Sequence, residues 1–252
     1  MKRYPVKELG PKISVVTVVF NGASTIESSI LSVKAQTYGN IEYIVVDGGS
    51  VDGTVEILER YNEEITYWNS ERDTGIYNAM NKSLGIATGD WLLFLGCDDV
   101  LASADAIEAT VRLMEDEKTV YYGNILFRNT RELYPGRHMS KFRFSARNFP
   151  HQALFYPRVI YKEHTYDERY KLYADYVYNL KLFHMNKDLF HYIPVLVCDY
   201  NDRGRSHFTL DREFVGDRLA LIRNCLGWQY YIYIFIRQPI GFLKRYLSGF
   251  KG

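Results

Sequence analysis

The chain is poor in cysteine, has no long apolar run and carries almost no net charge. Each shortage argues against a class of protein. Its three cysteines, Cys97, Cys198 and Cys225, are odd in number and never take a C-x-x-C spacing. That pattern speaks against a disulfide framework or a zinc ribbon and makes a reducing cytosol the default compartment. No stretch reaches the roughly 18–20 apolar residues that span a bilayer. Charged Met1–Lys12 before apolar Ile13–Phe20 loosely mimics a secretory leader, but the apolar part is too short and reads better as a buried strand. Lys and Arg number 31 against 30 Asp and Glu, a formal net charge of +1, so the basic footprint of a nucleic-acid binder is missing. After the first strand, Asn21-Gly22-Ala23-Ser24-Thr25-Ile26 holds one glycine, which is too few for G-x-G-x-x-G, and Gly-Lys-Ser/Thr occurs nowhere. A dinucleotide oxidoreductase and a P-loop enzyme are both disfavoured. The glycine- and arginine-rich loop of a sugar-phosphate nucleotidyltransferase is also absent.

What is present is a folded-protein composition: 252 residues, 47% apolar and 24% charged, enough for one domain with a sizeable core. Tyrosine is abundant, with 22 copies. An apolar body with a polar tip suits sugar clefts and membrane interfaces, and compositional drift accounts for the excess equally well.

The first half alternates strand and helix. Ile13–Phe20 is β-branched and apolar almost throughout, as a strand buried on both faces should be. Ser24-Thr25-Ile26-Glu27 reads as a capping box opening a helix with Ile26, Ile30 and Val33 on one face. Ile41–Asp47 is a second strand, Val55–Tyr61 a short helix and Ile65–Trp68 a short strand. Ile76, Met80 and Leu84 recur at helical spacing, predicting a helix over 76–87 that Gly89 ends. Trp91–Leu95 is an apolar strand running into Gly96-Cys97-Asp98-Asp99, and Ser103 caps a fourth helix with Ile107, Val111 and Met114 on its face. The fold class is α/β, with a Rossmann-like, mostly parallel central sheet and helices on both faces. Ligands bind such sheets beyond the carboxyl ends of the strands. Three polar clusters fall there: Phe20-Asn21-Gly22, Asp47-Gly48-Gly49 and Asp98-Asp99.

The second half is less regular. Strands are expected at Val120–Phe127, interrupted at Gly123-Asn124, at His151–Tyr156 and at Ile193–Val197. Helices are expected at Lys171–Met185 and Leu210–Arg223, and residues 128–150 read as a long basic loop. One domain over 1–209 is predicted, with halves at about 11–125 and 126–209, followed by an extension over 210–252. In the extension, Tyr230-Tyr231-Ile232-Tyr233-Ile234-Phe235-Ile236 precedes Arg237, Pro239, Lys244 and Arg245. It suits a peripheral membrane contact or an aromatic helix packed on the domain or in a homo-oligomer.

Asp98-Asp99 at the end of an apolar strand suits a ribose and a divalent cation with oxygen ligands. An acidic helix-capping turn is the alternative reading. Asp47 before two glycines suits a nucleobase or ribose contact, or an Asx turn.

Taken in order, Ile13–Asn21, Gln36-Thr37-Tyr38, Glu42–Thr54, Gly75-Ile76-Tyr77-Asn78-Ala79-Met80-Asn81-Lys82 and Ala87-Thr88-Gly89-Asp90 resemble the family-2 glycosyltransferases of GT-A fold, and the Gly75–Lys82 stretch resembles their bacterial cell-surface polysaccharide subgroup. The resemblance is strong over about 11–125 and thinner to about 205. It implies inverting sugar transfer from a nucleotide-diphosphate sugar, by family habit a UDP sugar, to a hydroxyl of a glycan or lipid-linked acceptor. It also implies a cytoplasmic enzyme needing Mn2+ or Mg2+. Residue by residue, Thr17, Val18, Phe20 and Asn21 would line the nucleobase, partly through backbone. Asp47 and Gly49 would hold the uracil or ribose end, and Asp73 would lie in a donor-site turn. Asp99 would bind metal as the late aspartate of the D-x-D motif, with Asp98 beside it. The motif's first aspartate is replaced here. Asp175 would be the catalytic base, although Val177 stands where relatives often carry a second acid. His151-Gln152 resembles the acceptor-side strand start. His207, after Arg203-Gly204-Arg205-Ser206, would reach metal or diphosphate, or sit in a solvated loop. Cys97 is expected only to pack. A non-catalytic nucleotide-sugar or glycan-binding module of the same fold is the alternative function.

Overall fold

The computed structural model describes residues 10–134, 139–202 and 211–236. In chain order it contains β1 (Ile13–Val19), α1 (Ile26–Lys34), β2 (Ile41–Asp47), α2 (Thr54–Arg60), β3 (Tyr67–Ser70), α3 (Ile76–Leu84), β4 (Trp91–Gly96), β5 (Val100–Leu101) and α4 (Ala106–Val111). There follow β6 (Val120–Phe127), β7 (Leu133–Tyr134), α5 (Lys141–Ala146), β8 (Leu154–Pro157), α6 (Ala174–Met185), β9 (Phe190–Tyr200) and α7 (Arg212–Leu226). Residues 228–236 are also helical.

Strands run β3-β2-β1-β4-β8-β6-β9-β5 in one sheet, with β7 on β6. The first four are all parallel. Beyond β4 the sheet is mixed: β8 is antiparallel to both β4 and β6, while β9 is parallel to β6. Unbroken parallel pairing is therefore confined to the first four strands, and β6–β9 adds a further parallel pair beyond antiparallel β8. Alternate residues of β1 feed two cores. Val15 and Val19 pack with α1, α2 and α4, and Val16 packs with α3 and α6.

Ten of the 22 tyrosines are buried in the core. Tyr122, Tyr156, Tyr161, Tyr166 and Tyr178 are buried together, their hydroxyls finding partners such as Asn179 Oδ1 for Tyr156 (2.9 Å) and each other for Tyr161 and Tyr166 (2.8 Å). Burial pushes these phenols above their usual range.

Several local expectations change. The capping box does not form. Thr25 makes no side-chain cap to α1, and Glu27 instead accepts from Tyr61 Oη (2.8 Å). α3 ends at Leu84 with Gly85 at its C-cap, so Gly89 is free for a different task. Its inward face is Tyr77, Ala79, Met80 and Ser83, while Ile76 is 42% exposed. Ser103 precedes the true cap of α4, Asp105, and bonds to its side chain. The expected loop at 128–150 contains α5, capped by Ser140. The Gly123-Asn124 interruption is a register shift within β6. α7 and the 228–236 helix share one core with the sheet, through Phe214, Ile222, Leu226 and Ile234.

At the amino-terminal end of the sheet, buried Glu42 receives Ser14 Oγ, Thr88 N and Oγ1, Gly89 N and the Lys12 ammonium. Burial opposes its charge, but these donors outweigh burial and hold its carboxyl down at about 2. The Ala87–Asp90 motif is thus a structural latch at the end of the sheet away from the ligand rim.

Candidate active site

In-register parallel pairing brings the carboxyl ends of four strands to one rim. Val19 lies opposite Asp47, Asp47 opposite Ser70, and Val18 opposite Gly96. The chain steps from β1 outward to β3 and then returns to β4 on the other side of β1. The crevice between β1 and β4 is therefore the switch point where α/β sheets bind ligands.

Hydrogen bonds stitch the rim loops together. Asn21 takes a left-handed φ of 52°, which its short polar side chain tolerates. Its N–H donates to Ser50 Oγ (2.7 Å) and its Oδ1 accepts from Val51 N (3.0 Å). Asp47 is fully buried. Its Oδ2 accepts from Gly49 N (3.0 Å), Ser50 N (2.8 Å) and Ser70 Oγ (2.6 Å), and its Oδ1 accepts from Ser50 Oγ. Three of these donors fall on Oδ2 and one on Oδ1, so Asp47 shapes the turn chiefly through Oδ2, and Oδ1 retains a lone pair. Gly48 and Gly49 let the next loop approach closely. A Cβ on Gly48 would sit 2.5 Å from Asp73 Oδ2, and Gly49, at φ +83°, faces Arg72. Asp73 Oδ1 accepts from Gly75 N (2.8 Å). Phe20 is 46% exposed on the rim, and Val18 packs into the core. Thr17 does not line the crevice. Its side chain is buried on the opposite face, where it accepts from Tyr43 Oη (3.1 Å).

Asp98 and Asp99 crowd over Gly96. A Cβ there would lie 3.1 Å from Asp98 Oδ1 and inside contact with Asp99 Oδ2. Asn201 braces both, its N–H to Asp99 Oδ1 (2.7 Å) and its Nδ2 to Asp98 Oδ2 (2.9 Å). Arg128 donates to the Asp98 carbonyl (2.8 Å). Burial and the neighbouring Asp98 charge push the Asp99 carboxyl up to about 7. Burial and the same carboxylates raise Cys97 to about 12, so its thiol stays neutral and packs. Two carboxylates converging on one glycine-cleared point fit a hard divalent cation, which takes one or two protein carboxylates and completes its shell with phosphate and water. Among the described residues no group of three or more His, Cys, Asp or Glu is placed to hold an ion. His207, Arg203 and Arg205 lie outside the described residues.

Asp175, in the first turn of α6, is 3% exposed. Its Oδ1 accepts from Tyr77 Oη (2.7 Å), while its Oδ2 accepts from Asn148 Nδ2 (2.8 Å) and faces His151 Nδ1 (3.0 Å). Burial alone would raise this carboxyl, but His151, Tyr77 and Asn148 hold it below the ordinary carboxylate range. His151 also acts electrostatically on Asp99, and Gln152 hydrogen-bonds it. The His151-Gln152 pair thus joins the strand-end carboxylates to Asp175.

The sequence did not single out Tyr77, Asn148 or Asn201 as site residues. Tyr77 lies one position from the expected helix face, and nothing in the local pattern marks the other two. Asn78 and Asn81 belong to the Gly75–Lys82 motif. Both bond Glu168, so they fasten the segment before α6 onto α3. A cavity of about 370 Å3 lies on the outer side of α6, between His164, Lys181 and Met185. No rim residue lines it, and it is not the crevice described above.

A parallel half-sheet presenting carboxylates at its switch point, with another carboxylate delivered by a later helix, places this chain among the α/β folds that bind ligands at the carboxyl ends of their strands. The glycosyl transferase family 2 profile matches residues 14–186, and the chain belongs to that family and is a glycosyltransferase. It is 32% identical over 212 residues to a PGL/p-HBAD biosynthesis glycosyltransferase of Mycobacterium tuberculosis, covering 81% of this chain and 83% of that one. An uncharacterized glycosyltransferase of the same species is 34% identical over 182 residues, 68% of each chain. In fold, the chain is similar to S. aureus TarS 1–349 in complex with UDP, with a TM-score of 0.68 and 19% identity over 84% of this chain and 64% of that one. It is also similar to the mannosyltransferase PcManGT from Pyrobaculum calidifontis in complex with GDP-Man and Mn2+, with a TM-score of 0.64 and 20% identity over 79% of this chain and 59% of that one.

Proposed function

We propose that the chain transfers a sugar, with inversion and with help from Mn2+ or Mg2+, from a nucleoside-diphosphate sugar to a hydroxyl of a glycan or lipid-linked acceptor in cell-surface polysaccharide synthesis on the cytoplasmic side. The observation that carries this reading is the convergence of Asp98 and Asp99 over Gly96, linked through His151-Gln152 to buried Asp175. UDP is the first candidate nucleotide, supported by the UDP and UDP-GlcNAc complexes of TarS. GDP is the second, supported by the GDP-Man complex of PcManGT.

In this reading the donor lies across the β1–β4 crevice. Phe20 and the Asn21–Ser50 stitch flank the base, with Asp47 holding the turn on which the uracil or ribose end rests. Asp73 borders the sugar end. Asp99, with Asp98 and with His207 as a further ligand, would hold the cation, which when bound neutralises charge on the departing diphosphate. Asp175 accepts the acceptor's hydroxyl proton as that oxygen attacks the anomeric carbon from the face opposite the diphosphate. Its carboxylate is kept ionised and oriented by Tyr77, Asn148 and His151, so no proton must be shed before the acceptor arrives. His151 acts here as a positioning residue.

Thermal unfolding with UDP, GDP and dTDP, each with and without Mn2+, tests the donor site. A metal-dependent rise with one nucleotide supports the reading and names the nucleotide. No rise with any of them, in folded protein, counts against the Asp99 assignment. Tight binding with no turnover across diverse acceptors would instead favour a non-catalytic module.

A further inference from the structure

We infer that the outward face of the 228–236 helix docks on an anionic phospholipid surface. The helix reads Trp-Gln-Tyr-Tyr-Ile-Tyr-Ile-Phe-Ile and is apolar or aromatic on every side but one. A helix of that composition is ordinarily buried all round. Here only one side is. Ile234 is 5% exposed within the core, with Tyr230 and Tyr233 packed against it. The other side is open: Trp228 is 64% exposed, Ile232 51%, Phe235 57% and Ile236 61%. These four recur at i, i+4, i+7 and i+8, so they form one stripe. Tyr231 joins its two aromatic ends, with ring centroids 5.4 Å from Trp228 and 6.0 Å from Phe235.

Charge identifies the occupant. Residues 237–252 contain Arg237, Lys244, Arg245 and Lys251 and no Asp or Glu, interleaved with Phe242, Leu243, Tyr246, Leu247 and Phe250. At the other end of the stripe, the Arg223 guanidinium lies 5.5 Å over the Trp228 ring. Aromatic residues flanked by cations match the headgroup layer of an anionic bilayer, where each cation near the surface strengthens binding about fivefold. A second copy would bring the same positive tail against the first. The 228–236 helix lies on the bilayer rather than crossing it. Arg237, Pro239 and Lys244 interrupt the apolar run, and among the described residues no helix is long and apolar enough to cross a membrane.

The docked face is mechanically tied to the chemistry. α7 packs on α6, and His184 Nδ1 on α6 lies 3.0 Å from the Cys225 carbonyl. Asp211, which caps α7, also accepts from Leu172 N (2.9 Å), and the Leu172 carbonyl accepts from Tyr77, the residue bonded to Asp175. A lipid contact at 228–236 thereby fixes the helix that carries Asp175 near the surface. The docking surface itself does not depend on the donor or on sugar transfer.

The test is co-sedimentation of the full chain with vesicles of phosphatidylglycerol and phosphatidylcholine, and with phosphatidylcholine alone, at 0.1 and 0.5 M salt. Wild type should pellet with the anionic vesicles and be released by salt. Ile232→Ser/Phe235→Ser should lose at least tenfold in binding. Lys244→Gln/Arg245→Gln/Lys251→Gln should lose a similar amount and most of the salt dependence. Circular dichroism of each variant, with nucleotide stabilisation where wild type shows it, checks folding, and the tail variant leaves the packed helix untouched should the apolar one misfold. The inference is overturned if wild type ignores anionic vesicles, or if both folded variants bind like wild type. It is also overturned if the apolar variant changes a dimer to a monomer by analytical ultracentrifugation with vesicle binding intact, which would assign the face to a second copy.

Discussion

Replacing Asp99 by Asn should stabilise the metal-free protein at high pH while removing its metal-dependent nucleotide binding. Asp99 is 1% exposed, and burial with the neighbouring Asp98 charge pushes its carboxyl from the ordinary 3.8 up to about 7. Below about pH 4 the group is protonated whether the chain is folded or not and contributes no pH dependence. Between about 4 and 7 the unfolded chain releases this proton while the folded chain keeps it, so wild-type stability falls as pH rises, and above 7 the loss is complete. At 1.36 kcal/mol per tenfold, the ceiling is about 4 kcal/mol, and relaxation around a real buried carboxylate reduces it to about 1–3 kcal/mol. Asn cannot ionise and keeps an oxygen for Asn201 N, but its amide mispairs with Gln152 at a cost of about 1 kcal/mol. The variant should therefore equal or fall slightly below wild type at pH 4 and overtake it by pH 8. Each kcal/mol should appear as about 2–4 °C in a chain of this size. The assay is thermal unfolding with EDTA from pH 4 to 8. Equal offsets at every pH, or a variant less stable at pH 8 than at pH 4 relative to wild type, would refute the reasoning that an uncompensated buried charge is held ready for a cation.

Four further outcomes follow from the same geometry. Tyr77→Phe removes a charge-assisted hydrogen bond of about 1.5–3 kcal/mol from Asp175, so the acid limb of the kcat profile should move up by about one to two pH units with donor KM little changed; an unmoved limb contradicts the base assignment. Gly96→Ala should leave the fold cooperative but separate the two strand-end carboxylates, and calorimetry should then show nucleotide binding that no longer responds to Mn2+. Glu42→Gln should cost about 1–3 kcal/mol near pH 7, because the latch on Ser14, Thr88 and Gly89 is built for a carboxylate. Glu42's folded value, about 2, lies below its ordinary 4.5, so its contribution is present above about 4.5 and fades as pH falls toward 2, and wild type and variant should converge in urea titrations at low pH. Proton NMR of the first-formed product should show the anomeric configuration opposite to that of the donor; retained configuration excludes a single displacement.

The strands of the donor half were legible because β1, β2 and β4 are buried on both faces and their apolar runs are continuous. The polar clusters after them followed from chain direction alone. Side-chain aim was harder to read. Thr17 and Val18 are neighbours in a strand, so they point to opposite faces, and neither face is the rim. Asp47 belongs at the strand end, but its four donors come from residues 49, 50 and 70, and that bracing of the turn is visible only once β3 is in register. The inward face of α3 lies one residue from its apolar repeat because Tyr77 carries a polar tip, and the partner of that tip, Asp175, is distant in sequence. α5 is not legible inside its basic stretch, because its inward residues, Phe144 and Ser145, are too few to set a period. The Asp99–His151–Asp175 arrangement joins three distant segments of chain, and single-sequence periodicity says nothing about such contacts.

The most direct test of the account is donor turnover by Asp175→Asn beside its nucleotide binding, measured on the same sample by product release and calorimetry. The account predicts binding close to wild type and a rate reduced by about a hundred- to ten-thousandfold. A folded variant that turns over at the wild-type rate would contradict it.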